Sequence, residues 1–188
     1  MSSIVLDLGN GATIAGENLE YIGLQGEANF IEVKPDGEEF GSPLTIVGGG
    51  KNDTIRLTAA GGSTVLGLDG DDLLVGSAFG DLIDGGEGND TLEGGLGADA
   101  LKGGSGSDLF EFVNDEFQAG RLDQIIDFEN EGEGTDMIRI LGVGDDVVSY
   151  DANTGMVSID GQDAINIGKG LEDLQISKQE GTDNWEIS

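Results

Sequence analysis

The sequence predicts an all-β protein: a flattened coil of short parallel strands, closed at each end by irregular β caps. Three observations carry that expectation. Glycine, aspartate and a large apolar residue recur every nine positions through the middle of the chain. The flanks hold short apolar runs separated by turn residues. The composition, 35 glycines in 188 residues with 8 basic against 38 acidic side chains and a formal charge of −30, suits stacked loops better than a large packed globule.

The same composition excludes several functions. With no histidine and no cysteine, the chain has no histidine-dependent hydrolysis, no disulfide scaffold and no Cys/His zinc site. A charge of −30 repels nucleic acid and anionic membrane, so the expected partners are cations. No run approaches the roughly 20 apolar residues of a membrane span, so no membrane insertion is expected. Met1-Ser2-Ser3-Ile4 opens without a basic region or a long apolar run, so no cleavable leader is expected.

Residues 1–47 contain the runs Ile4-Val5-Leu6, Leu19–Ile22, Asn29–Val33 and Leu44–Val47, with Gly, Asn or Pro turns between them. They read as irregular β rungs that cap the coil, since an exposed terminal rung offers unpaired strands.

Residues 48–111 carry the repeat. In nines the chain reads GLDGDDLLV (67–75), GSAFGDLID (76–84), GGEGNDTLE (85–93), GGLGADALK (94–102) and GGSGSDLFE (103–111), with the pattern G-G-x-G-x-D-x-U-x, U being large and apolar. Asp72, Asp81, Asp90, Asp99 and Asp108 keep the spacing, as do Leu74, Ile83, Leu92, Leu101 and Phe110. Upstream copies are worn: TAAGGSTVL (58–66) has Ser63 in the aspartate position, and GGGKNDTIR (48–56) has Lys51 for the third glycine and is out of phase by one residue, Leu57. Copy 67–75 lacks the second glycine; copy 76–84 has Ser77 and Phe79 at the second and third.

The spacing has a physical reading. G-G-x-G-x-D makes a loop whose crowded backbone glycine tolerates. The x-U-x triplet makes a short strand with U inward and its neighbours outward. Two nonapeptides complete a turn, and turns stack at about 4.8 Å. Asp72, Asp90 and Asp108 then form a column on one edge, with Asp81 and Asp99 on the other. Carboxylates held that close repel by on the order of a kcal/mol each, and a divalent cation between loops removes the penalty. Ca²⁺, which takes six to eight oxygens in flexible geometry, suits carboxylates and loop carbonyls better than Mg²⁺. Without histidine or thiolate, softer metals have little hold.

These tandem copies resemble the nonapeptide repeat of the RTX ("repeats in toxin") family. The resemblance implies a right-handed parallel β-roll, a calcium-binding solenoid, with each ion between a loop and the loop one turn later. The implied pairs are 67–72 with 85–90, 85–90 with 103–108, and 76–81 with 94–99, the last being the least regular. The residues implied to hold calcium are Gly67, Asp69, Gly70 and Asp72; Gly76 and Asp81; Gly85, Gly86, Gly88 and Asp90; Gly94, Gly95, Gly97 and Asp99; and Gly103, Gly104, Gly106 and Asp108. Weaker ligation is expected from Gly49 and Asp53, and from Asn114 and Asp115 under loop 94–99.

Simpler readings fit these residues less well. A flexible glycine linker has no reason to place an apolar residue every ninth position. No strand–helix unit supports a nucleotide loop. An EF-hand starting at Asp69 would need glutamate where Gly80 stands. The sequons Asn52-Asp53-Thr54 and Asn89-Asp90-Thr91 follow from the repeat. Glu87, Glu93 and Asp84 read as solvated outer positions. Leu73, Leu82 and Leu109 fall on outward positions and are expected to be covered by a flanking segment.

Residues 112–188 read as a C-terminal β cap. Leu122–Phe128 and Asp136–Ile140 resemble the D-x-I-x-D-F … D-x-I segment that follows the repeats in serralysin-type proteases and related RTX exoproteins. Further strands are expected at Val147–Tyr150, Met156–Asp160, Ala164–Ile167, Leu174–Ser177 and Trp185–Ile187, and a helical stretch near 115–120 or 170–174. In RTX proteins the C-terminal region carries an uncleaved signal for the type I secretion machinery. The acidic then apolar ending Asp183–Ser188 is compatible with that.

The expected function is therefore a calcium-binding module of a secreted, extracellular bacterial protein that folds on meeting calcium. The alternative is a calcium-dependent module binding a polysaccharide, as in the R-modules of alginate epimerases, or an adhesin module. That alternative needs an exposed aromatic and basic strip, whereas the basic residues here are scattered. Catalysis is not expected, since the repeat accounts for most of the acids.

Overall fold

The computed structural model describes residues 2–6, 12–14, 19–24, 30–33, 43–57, 61–113, 121–129, 134–168, 171 and 174–188. In chain order the strands are β1 (Ser2–Leu6), β2 (Ala12–Ile14), β3 (Leu19–Leu24), β4 (Phe30–Val33), β5 (Pro43–Val47), β6 (Thr54–Leu57), β7 (Gly61–Asp69), β8 (Leu73–Val75), β9 (Leu82–Glu87) and β10 (Thr91–Glu93). They continue with β11 (Ala100–Ser105), β12 (Leu109–Val113), β13 (Asp123–Ile125), β14 (Met137–Leu141), β15 (Val148–Asp151), β16 (Met156–Ile159), β17 (Gln162–Asn166), β18 (Ile176–Lys178) and β19 (Trp185–Ile187). No described residue is helical; the helical stretch expected at 115–120 lies outside the described residues.

Consecutive strands alternate between two sheets. One has the order β1-β3-β5-β7-β9-β11-β13-β17-β16-β15, the other β18-β19-β14-β12-β10-β8-β6-β4-β2. From β1 to β14 all pairings are parallel. The register gives the turn length directly: Leu92 pairs with Leu74 and Phe110, and Ile83 with Val65 and Leu101, each 18 residues apart. Ile55 pairs with Leu74, 19 apart, because the extra residue Leu57 lengthens β6 and is itself buried. The chain is thus the parallel β-roll that two nonapeptides per turn require.

The apolar U positions build the core. Ile55, Leu74, Leu92, Phe110 and Ile138 line one inner face, and Ile46, Val65, Ile83, Leu101 and Ile125 the other, all essentially fully buried. Each such side chain contributes about 1.5–3 kcal/mol by leaving water. Outward neighbours divide unequally. Leu73 and Leu109 are half-buried, whereas Leu82 is 42% exposed, so the face carrying it stays open to solvent.

The two edges of the roll also differ from the simple loop-plus-triplet expectation. β9 and β11 run on through the first three loop residues, because Gly86 pairs with Gly104 and Glu87 with Ser105. β8 and β10 remain three residues long.

Both sheets change direction at the C-terminal end. β16 and β15 add antiparallel after β17, and β19 and β18 add antiparallel after β14. Ile187 is fully buried there, so the last strand contributes to the core.

Candidate metal centre

The coil brings the repeat aspartates into two buried ladders. On the first edge the order is Asp53, Asp72, Asp90, Asp108, Asp136. Each backbone N–H donates to Oδ1 of the next aspartate, at 2.7, 2.8, 2.9 and 3.0 Å in turn. On the second edge the N–H groups of Ser63, Asp81 and Asp99 donate in the same way to Asp81, Asp99 and Asp123, at 2.6, 2.7 and 2.9 Å. The rungs are further locked by backbone bonds such as Thr91 N–H to the Asp72 carbonyl and Ala100 N–H to the Asp81 carbonyl, both 2.8 Å. One carboxylate oxygen of each rung is therefore used to set the turn spacing.

The second oxygen is left for something else. Oδ2 of Asp72, Asp90, Asp99 and Asp108 is buried with no hydrogen-bond partner, and these residues are only 1–3% exposed. An uncompensated buried carboxylate is strongly unfavourable. Burial accordingly pushes Asp72 and Asp99 up to about 7, with neighbouring aspartates adding to it. Burial likewise raises Asp90, Asp108, Asp123 and Asp136 to about 6, and shifts Asp81 upward.

Carbonyls converge on the same places. A β-carbon at Gly67 would strike both Asp72 Oδ2 and the Gly85 carbonyl; one at Gly85 would strike Asp90 Oδ2 and the Gly103 carbonyl. The first loop glycine thus leaves a space bounded by a carboxylate oxygen and a carbonyl of the next turn. Among the described residues no three acidic side chains meet at one point, so an ion would draw much of its shell from backbone oxygens. Hard oxygen donors in irregular number suit Ca²⁺, and the residues present fit it.

The expected ligands fall into three groups. Asp72, Asp90, Asp99 and Asp108, with their loop glycines, form the ladders and carry the free oxygens. Asp53 and Asp81 are also in the ladders, but their Oδ2 atoms accept from Gly49 N–H (2.8 Å) and Ser77 N–H (2.6 Å). Asp69 stands apart: it is exposed, at the end of β7, paired with Glu87. Asn114 and Asp115 lie outside the described residues, and the side chain beneath Asp99 is that of Asp123.

Asp123 and Asp136 fall outside the nine-residue period because they sit 24 and 28 residues after their predecessors. Their signal is the surviving D-x-U tripeptide, Asp123-Gln124-Ile125 and Asp136-Met137-Ile138. Two further features emerged only from the structure. Asp127 accepts from Gly103 and Gly104 N–H groups, both 3.0 Å, and so closes the last regular loop. Asn52, Asp71, Asn89 and Ser107 form a second, exposed ladder beside the first, each accepting from the backbone N–H of the corresponding residue one turn further on, at 2.8–3.1 Å.

Comparison with known proteins agrees with this geometry. The family described as the RTX calcium-binding nonapeptide repeat (4 copies) matches residues 58–83, 66–101 and 75–110. No curated protein matches the chain, and no solved structure does. The repeats of this family bind Ca²⁺, and Asp72, Asp81, Asp90, Asp99 and Asp108 of the two ladders fall within the matched residues. Residues 58–110, the middle of the β-roll, thus carry repeats similar to the RTX calcium-binding nonapeptides.

Proposed function

We propose that this module couples folding to calcium on export: it stays loose where free calcium is scarce and closes into the roll outside the cell, as part of a secreted bacterial protein. The observation that carries the reading is the set of four buried aspartate oxygens without partners. At low calcium these charges oppose coiling, in a chain already at −30. At the roughly millimolar calcium typical of extracellular modules, ion binding becomes folding free energy. The C-terminal region, by likeness to other RTX proteins, would supply the signal for the type I secretion machinery.

The polysaccharide-binding alternative finds less support. Among the described basic residues, Lys102 pairs with Asp84 at 2.9 Å, Arg139 with Glu111 and Glu186 at 3.4 and 3.1 Å, and Lys178 with Asp145 at 2.8 Å. These three cations answer the chain's own carboxylates, and the exposed Lys51 and Arg121 lie far apart in the chain, on loops of different edges.

The test is far-ultraviolet circular dichroism of the full chain at neutral pH, titrated with CaCl₂ from a chelator. The expected result is a β signal that appears only with calcium and is not reproduced by equal MgCl₂. Equal β content in chelator and in calcium would overturn the proposal.

A further inference from the structure

The six aspartate-bearing loops between residues 48 and 108 divide into two kinds, and the division follows one loop position. Loops 67–72, 85–90, 94–99 and 103–108 leave the second carboxylate oxygen without a partner. Their second residues, Leu68, Gly86, Gly95 and Gly104, have φ of +87°, +115°, +86° and +105°. Loops 48–53 and 76–81 do not share that conformation among the described residues. In them the second residue turns its N–H onto the aspartate, Gly49 to Asp53 and Ser77 to Asp81.

Loop 76–81 is sealed most completely. Ser77 Oγ donates a second hydrogen bond to Asp81 Oδ2 at 2.9 Å and itself accepts from Phe79 N–H at 3.2 Å. With Ser63 N–H on Oδ1, the Asp81 carboxylate has three donors and is satisfied without a cation, as hydrogen bonding to the charged form requires.

The second residue does not decide the outcome: Leu68 is in an open loop and Gly49 in a sealed one. The fourth residue does. It is Gly70, Gly88, Gly97 or Gly106 in the open loops, but Lys51 and Phe79 in the sealed ones. Open loops lie directly on the backbone of the loop before. A β-carbon at Gly97 would come within 2.8 Å of the Phe79 backbone, and one at Gly70 within 2.5–2.8 Å of Lys51. A side chain at that position prevents the close approach, and the loop takes the other form.

We propose that Phe79 and Ser77 make loop 76–81 a hydrogen-bonded spacer that holds no cation of its own, so that the ion column on that edge starts only at loop 94–99. The sealing falls where a column must end. The rung above Asp81 has Ser63 in place of a carboxylate. On the other edge the terminal Asp53 and Asp136 are sealed alike, the latter by Glu129 N–H at 2.9 Å. The inference rests on the calcium-binding reading and adds which loops take part.

Native mass spectrometry of the full chain in calcium counts the bound ions. Asp90→Asn, in an open loop, is expected to bind one ion fewer than the wild type. Asp81→Asn is expected to keep the wild-type count. The double variant Ser77→Gly/Phe79→Gly, which restores G-G-x-G-x-D in that loop, is expected to bind one ion more. Loss of an ion in Asp81→Asn, or no gain in the double variant, overturns the inference while leaving calcium binding intact. A wild-type chain that binds no calcium overturns the functional reading itself, and the inference with it.

Discussion

Asp72, Asp90, Asp99 and Asp108 divide their work between two oxygens. Oδ1 accepts the backbone N–H of the preceding turn and fixes the rise of the coil; Oδ2 is buried without a partner and available to a cation. Asp90→Asn separates these roles, because the amide oxygen still accepts from Asp72 N–H while the charge is lost. In chelator at pH 8 the variant is expected to be the more stable, by on the order of 2 kcal/mol, since a carboxyl held near 6 in the roll is costly to ionise there. In calcium the order reverses. The β signal in chelator and denaturant melts in calcium check the crossover, and a variant with less β signal in chelator as well as lower stability in calcium would contradict it.

The same charges set a pH dependence. The ladder carboxyls rise from an ordinary 3.8 to about 6–7 through burial, so between about pH 4 and 7 the metal-free roll holds more protons than the unfolded chain. Its stability therefore falls as pH rises through that window. Acid should substitute in part for calcium, giving more β signal in chelator at pH 5 than at pH 8. Calcium affinity should fall with acidification, as protons compete for the same oxygens. Dichroism at the two pH values, with and without calcium, measures both signs.

At the scale of elements, the strands are short and their stability is collective. A triplet such as Thr91-Leu92-Glu93 has one inward side chain, and it earns its place through stacking between Leu74 and Phe110. Leu92→Ala leaves a cavity in the middle of that column and should destabilise the calcium-loaded roll by about 2–5 kcal/mol. Leu82→Ala, at an exposed outward position, should change stability by less than about 0.5 kcal/mol. Thermal melts in saturating calcium distinguish the two.

The regular rungs were legible from the nine-residue period alone, and even the single-residue slip at Leu57 appears as a 19-residue register. Other elements were not. β2 is a triplet with no periodic partner in the sequence. The rungs of Asp123 and Asp136 are separated by longer insertions, so their aspartates fall out of phase while their D-x-U tripeptides persist. The antiparallel finish of both sheets was hidden because Met156–Ile159 and Trp185–Ile187 alternate as any half-buried strand does, and alternation does not encode direction. Loop sealing was hidden as well: Ser77 and Phe79 read simply as wear in the repeat, whereas together they form an alternative, satisfied loop.

At the scale of the molecule, two acidic ladders run through one roll, and each ends in a loop or cap that needs less external charge. Four divalent ions at the four open carboxylates would bring the formal charge from −30 to −30 + 8 = −22. They would remove the charges most costly to bury and leave the solvated ones. The antiparallel strands at the C-terminal end finish the sheets that the ladders hold in register, with Ile187 buried in the core there.

The most direct measurement is an anomalous difference map from crystals of the full chain grown in calcium. The account predicts peaks beside Oδ2 of Asp72, Asp90, Asp99 and Asp108. Well-ordered turns with those four oxygens in place and no anomalous density beside them would contradict it.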